Sequence, residues 1–252
     1  AAFATVLAQF VSGIGILLYT LLRFPDLRPK KDDCRCSRKA LGRILNLSLM
    51  TCLQQSIMNF GILMIQGLVN SFGSVVMAAF AAAVKIDAFA YMPVQDFGNA
   101  FSTFIAQNYG AGKTDRLRQG LRQATLVSIG FSCVIAACVV LFAGPLMRIF
   151  VQAEETAVIA AGIRYLRIEG AFYAGIGCLF LLYGLYRALG KPGMSVVLTV
   201  ISLGTRVVLA YLLSAIPAVG VIGIWWSVPI GWGLADLAGL LYYKAKKQEL
   251  LF

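Results

Sequence analysis

The chain has 252 residues, of which 60% are hydrophobic and only 13% are charged, and its formal net charge is +11. This composition excludes an ordinary soluble domain, and runs of about twenty apolar residues recur that could each cross a hydrocarbon layer roughly 30 Å thick. The chain contains no histidine and no CxxC pair, so the sequence predicts neither a metal centre nor a cofactor site.

Seven apolar segments follow one another along the chain and are predicted to be transmembrane helices of an all-α bundle. They cover residues 1–22, 44–69, 75–107, 123–144, 169–187, 194–213 and 219–243. Between the fourth and fifth segments, residues 154–168 have apolar positions at helical spacing and are interpreted as an external amphipathic turn.

The basic residues are distributed unevenly among the connecting segments. Residues 23–43, 110–122, 187–191 and the tail 244–252 hold eight, four, two and three Lys or Arg, so 17 of the 22 lie on one predicted side. The positive-inside rule makes this side cytoplasmic and predicts a multi-pass protein of the inner (plasma) membrane with a cytoplasmic C-terminus. This topology explains the net charge without a nucleic-acid partner.

The first apolar segment starts at residue 1 and has no charged leader before it. An odd number of helices with such a start predicts that the N-terminal part of a longer protein precedes residues 1–22. The polar segment 23–43 is then a cytoplasmic linker between two helix bundles, residues 44–243 form the second bundle, and residues 244–252 form a tail.

Charged side chains inside the predicted spans are the main candidates for function, because each costs roughly 3 kcal/mol at the centre of a bilayer. Counted from the outer ends of their segments, Lys85 lies about 15 Å, Asp87 about 18 Å and Arg206 about 12 Å deep. Asp87 and Arg206 can therefore meet. Either Asp87 lines an internal cavity and takes a proton or a cation there, or the three residues form a fixed interhelical network. Asp96 and Asp236, about 31 and 25 Å deep, are secondary candidates or simple interfacial carboxylates.

Several uncharged residues in the same segments are further candidates. Pro93 is predicted to be a hinge or a static kink in the third segment. Gln55 and Asn59 share one face of the second segment and could line a wet cavity or hydrogen-bond between helices. Tyr91 lies one turn beyond Asp87, where its ring could meet an organic cation or face lipid.

Four motifs carry a family resemblance by their order and spacing: "KIDAFAYMP", "AQNYGAGK", "YRALGKP" and "GIWWSVPIGWGLAD". They resemble the multidrug and toxic compound extrusion (MATE) family in its bacterial form. The resemblance covers residues 1–252 and falls on the second half of that family's chain. It implies one lobe of a two-lobe, twelve-helix transporter, with residues 1–22 as the sixth helix and 44–243 as the seventh to twelfth.

The resemblance also implies a function, a secondary active antiporter rather than an enzyme. Such a protein expels cationic amphipathic compounds in exchange for H⁺ or Na⁺, and its implied partners are the lipid bilayer, the organic cation and the missing N-terminal lobe. Some branches place acidic residues on the seventh and tenth helices. Here the core of the tenth (171–186) has none and Glu169 lies at its outer edge, which leaves coupling through the missing lobe as an alternative. A flippase for a lipid-linked sugar and a membrane-embedded enzyme are the alternative functions.

Overall fold

The computed structural model describes residues 2–25, 28 and 37–251. In this part of the chain nine α-helices follow one another, and the prediction of an all-α fold is confirmed. They are α1 (Ala2–Arg23), α2 (Arg38–Asn70), α3 (Ser74–Gly110), α4 (Thr114–Leu141), α5 (Ala143–Phe150), α6 (Thr156–Gly170), α7 (Tyr173–Ala188), α8 (Pro192–Ser214) and α9 (Val221–Leu251).

The predicted number of membrane-spanning helices is also confirmed. Among the described residues six helices are long and apolar enough to cross a membrane, and α6 and α7 together make a seventh candidate span that is bent by 51°. This broken span starts at Thr156, not at residue 169. Residues 154–168 are therefore not a turn, because most of them form α6, in which Tyr165 and Leu166 are buried.

The chain divides into two compact units, residues Ala1–Asn46 and Leu47–Phe252. The first unit contains α1 and the beginning of α2, and the described side chains of α1 are almost all exposed. Residues 26, 27 and 29–36 of the predicted linker 23–43 fall outside the described residues. Its last six positions, from Arg38 onward, are already helical.

In the second unit, α7 is the central helix. It packs against α3, α4, α8 and α9, and every side chain from Leu179 to Tyr186 is buried. The outer surface of the unit is apolar, with Phe89 77%, Val134 62% and Leu212 62% exposed. Polar groups inside and apolar groups outside are the arrangement expected of a helix bundle whose solvent is lipid.

Glycines allow two of these helix pairs to touch through their backbones. A Cβ placed on Gly184 of α7 would lie 2.6 Å from the carbonyl oxygen of Gly98 on α3, and one on Gly98 would lie 3.0 Å from the carbonyl oxygen of Phe180. A Cβ on Gly231 of α9 would lie 2.4 Å from the carbonyl oxygen of Ser202 on α8. Small residues at such crossings are a common means of packing helices in membranes.

Candidate functional site

Asp87 is buried in the middle of α3, with 5% of its surface exposed. It lies thirteen residues after Ser74, the first residue of the helix, which corresponds to about 20 Å along the axis. The hydroxyl of Tyr173 donates a hydrogen bond to Asp87 Oδ1. Because Tyr173 is the first residue of α7, this contact joins the middle of α3 to the break in the bent span.

The last turns of α6 bring a second carboxyl group to the same place. Glu169 is 5% exposed, and it lies close enough to Asp87 to interact with it, as does the hydroxyl of Tyr165. Tyr165 and Glu169 are four residues apart in α6, which places their side chains on neighbouring positions of one face, and Tyr173 follows just after the break. The site therefore combines two carboxyl groups and two phenolic hydroxyls around the α6–α7 break.

Arg206 of α8 supplies the positive charge near this pair. It interacts electrostatically with both Asp87 and Glu169, and its Nε is buried with no hydrogen-bond partner among the described residues. Its Cβ lies 3.5 Å from the position that a Cβ on Gly231 would occupy. The structure thus brings Arg206 to the depth of Asp87, on the side where α8 packs on α9.

Two oxygens of the carboxyl pair are left without donors. Asp87 Oδ2 and Glu169 Oε2 are buried and accept no hydrogen bond within the described residues. Two negative charges held this closely in a medium of low dielectric constant repel each other strongly. Arg206, the cation that acts on both carboxyl groups among the described residues, compensates at most one of them, so the second carboxyl group can be accommodated by a proton or by a bound small cation. This is the chemistry that the site offers.

An aromatic cluster fixes one wall of the site. Phe80 of α3 stacks on Trp225 of α9 with 5.7 Å between ring centroids, and Tyr165 meets Trp225 edge to face at 4.8 Å. Phe80 lies seven residues before Asp87 and therefore on the same face of α3. These contacts hold the Tyr165 ring in place and keep its hydroxyl directed towards the carboxyl pair.

The structure does not bring Lys85 to this site. Its side chain is exposed, and its Nζ lies 6.0 Å from the centroid of the Phe150 ring on α5. Residues two apart on a helix point in different directions, which is why Lys85 and Asp87 separate. Tyr91 is half-buried and packs against the hydrophobic core. Pro93 lies inside α3, which continues past it to Gly110.

The remaining sequence candidates lie elsewhere in the second unit. Gln55 and Asn59 are exposed on α2, and Asp96 is exposed on α3. Asp236 is half-buried on α9. Its Oδ2 would be 3.7 Å from a Cβ on Gly175 of α7, and its Oδ1 has no hydrogen-bond partner among the described residues.

Sequence reasoning missed Glu169, Tyr165 and Tyr173 as members of the site. The predicted fifth span starts at residue 169, because the basic residues Arg164 and Arg167 lower the hydropathy of the stretch before it. That boundary puts Glu169 at the membrane surface and Tyr165 outside the span. The four-residue spacing of Tyr165 and Glu169 was the signal that could have identified these two, whereas Tyr173 lies beyond the break and carried no such signal.

Both the sequence and the fold of the chain are similar to those of one protein family. The MatE family model matches residues 47–212. "Probable multidrug resistance protein YpnP" of Bacillus subtilis is 29% identical over 97% of this chain and 54% of its own length. "Probable multidrug resistance protein NorM" of Thermotoga maritima is 24% identical over 99% and 53%. A crystal structure of MATE in complex with MaL6 matches with a TM-score of 0.91 at 21% identity, covering 99% of this chain and 56% of that one. The chain spans about half the length of these proteins.

Proposed function

Because this chain belongs to the MatE family, we propose that it is one lobe of a secondary active transporter that exports drugs in exchange for H⁺ or Na⁺. The other lobe is an N-terminal bundle of the same polypeptide, since the relatives are about twice as long. The likeness to multidrug resistance proteins supports export of toxic compounds. Transport, with no chemical change of the substrate, is the activity, so the protein is not an enzyme.

The observation that carries this proposal is the buried carboxyl pair at the α6–α7 break. Binding sites of secondary transporters commonly lie near the middle of the membrane, where discontinuous helices meet. Asp87 and Glu169 hold a proton or Na⁺ there in the absence of substrate. An organic cation that reaches the pair displaces the coupling ion by competing for the same negative charge. The substrate and the ion are thus carried in alternate halves of the cycle.

Organic cations fit this pair better than the cargo of the alternative transporter class. Asp87 and Glu169 are both buried carboxyl groups, and in a medium of low dielectric constant their negative charge attracts a cation strongly. A flippase for a lipid-linked sugar would have to place a pyrophosphate in the membrane interior. Two buried carboxyl groups would repel that group, so we favour the antiporter.

We place the protein in the plasma membrane with its C-terminus in the cytoplasm, on the strength of the asymmetric distribution of Lys and Arg. Single cysteines at positions 113 and 216 in a cysteine-free background test this topology, because both positions are exposed turns. An impermeant thiol reagent applied to intact cells should label position 216 and spare position 113. The opposite pattern would invert the topology.

The lobe architecture has its own test, dye efflux from cells. The two-lobe protein should expel a cationic dye such as ethidium in an ion-dependent manner. Residues 1–252 alone should reach the membrane but leave the dye in the cell, because half of the binding cavity is absent. Ion-dependent efflux by the lone chain at the rate of the two-lobe protein would contradict the proposed architecture.

A further inference from the structure

A second polar site lies in the lobe, away from the carboxyl pair. A cavity of about 160 Å³ is lined by residues of α2, α3 and α7, among them Gln54, Gln55, Gln95, Asn99, Tyr183 and Arg187. Its volume corresponds to about five water molecules at roughly 30 Å³ each. Gln95 lies eight residues after Asp87 on α3, about 12 Å further along the helix axis. The cavity is therefore distinct from the site proposed for ion coupling.

The charge of this cavity is opposite to that of the carboxyl pair. Among the described residues that line it, Arg187 is the one that is charged, and none is acidic. Asp96 is next to Gln95 in the sequence, but its side chain is exposed and does not line the cavity. A guanidinium stays protonated under all ordinary conditions. The cavity thus has a fixed positive charge, and none of the described residues of its wall neutralises it.

The guanidinium is held in place by its neighbours. Arg187 Nε donates to the backbone carbonyl of Tyr183 at 3.3 Å, and Nη2 donates to Asn99 Oδ1 at 3.0 Å. The close backbone contact of Gly98 with Gly184 is what brings Asn99 next to Arg187. Two of the five N–H groups of the guanidinium are used in this way, and the others remain available as donors. Since Asn99 accepts with its oxygen, its amide nitrogen is a further donor.

We propose that this cavity binds the anionic group of an organic ligand, a sulfonate, carboxylate or phosphate attached to an apolar or aromatic body. Fixed N–H donors with an uncompensated guanidinium match the acceptor oxygens of such a group. Phe180 and Met58, which also line the cavity, provide apolar contact for the remainder of the molecule. The ligands of this lobe would therefore include anionic and zwitterionic amphiphiles as well as cations. This inference goes beyond the proposed function and does not depend on the coupling ion.

A matched pair of fluorescent probes tests the proposal on the two-lobe transporter reconstituted in nanodiscs of zwitterionic lipid. 8-Anilinonaphthalene-1-sulfonate and N-phenyl-1-naphthylamine share their aromatic rings and differ in the sulfonate. Arg187→Gln should weaken binding of the sulfonate probe roughly tenfold, because a hydrogen-bonded charge pair is lost, and should leave the neutral probe unchanged. Lys191→Gln, the same charge change at an exposed position, is the control and should affect neither probe.

A second variant keeps the proposal testable if Arg187→Gln does not fold. Gln55→Glu adds a negative charge to the cavity at an exposed position of α2 and leaves the contacts of Arg187 in place. It should therefore weaken binding of the sulfonate probe and leave binding of the neutral probe unchanged. Equal losses for both probes, or sulfonate binding at wild-type affinity in Arg187→Gln and Gln55→Glu, would overturn the proposal. Adding phosphatidylglycerol to the nanodiscs distinguishes the sources of the anion. Competition with the probe that requires Arg187 assigns the cavity to a lipid headgroup, and its absence assigns it to a soluble amphiphile.

Discussion

Asp87→Asn in the two-lobe transporter is expected to reduce ion-dependent efflux of a cationic dye to background while the protein reaches the membrane in normal amount. The amide is close to the carboxyl group in size and still accepts the hydrogen bond from Tyr173. It can neither carry the proton nor hold a cation by charge. Substitution therefore removes the exchange chemistry while retaining the shape of the site, and dye efflux from energised cells is the measurement.

Asp96→Asn is the matched control on the same helix. Asp96 is exposed and lies nine residues beyond Asp87, so the same chemical change there should leave most of the efflux. Glu169→Gln should resemble Asp87→Asn if the two carboxyl groups act together. Efflux at the wild-type rate and ion dependence in Asp87→Asn would reduce Asp87 to a structural partner and move coupling to the N-terminal lobe.

Gly184→Ala should destabilise the second unit by about 1–3 kcal/mol, the usual cost of forcing extra volume into a packed interior. The added Cβ would meet the carbonyl oxygen of Gly98 at 2.6 Å, and a backbone atom cannot turn aside as a side chain can. The central helix α7 would have to move away from α3. For a chain of this size the corresponding fall in the thermal midpoint is roughly 2 to 12 °C.

Gly204→Ala provides the comparison, because Gly204 is an exposed residue inside α8 and an added Cβ would have no atom within 4 Å. Alanine is the better helix former by about 1 kcal/mol, so this variant should be as stable as the wild type or more so. Thermal unfolding of the detergent-purified proteins, followed by tryptophan fluorescence, compares the two. A Gly184→Ala protein as stable as Gly204→Ala would show that the α3–α7 contact adjusts easily.

Hydropathy and charge predicted most of the fold because both are properties of contiguous stretches of the sequence. Long apolar runs give α2, α3, α8 and α9 within a few residues, except where a helix continues into polar sequence. The beginning of α2 at Arg38 and the extension of α9 to Leu251 are such cases. Helix formation needs no apolar side chains outside the membrane, so hydropathy does not register these ends.

The site was less accessible to sequence reasoning, because its members come from four helices. Asp87 and Arg206 could be paired by depth, since each lies in an apolar run where a charge stands out. Glu169 could not be paired in this way. Arg164 and Arg167 lie on the face of α6 away from the core, and they give the sequence of α6 the pattern of a surface helix. Only the packing of α6 against α3 and α4 shows that its other face, with Tyr165 and Glu169, is buried inside the bundle.

Counting the coupling ions displaced when a cationic dye binds is the most direct test of a shared ion site at Asp87 and Glu169. Dye is added to the purified two-lobe transporter in weakly buffered solution, with a pH indicator for H⁺ and radioactive sodium for Na⁺. The wild type and Asp96→Asn should release one kind of ion as the dye binds, whereas Asp87→Asn and Glu169→Gln should release little or none. Undiminished release from the Asp87→Asn/Glu169→Gln double variant would contradict the assignment of ion coupling to this lobe.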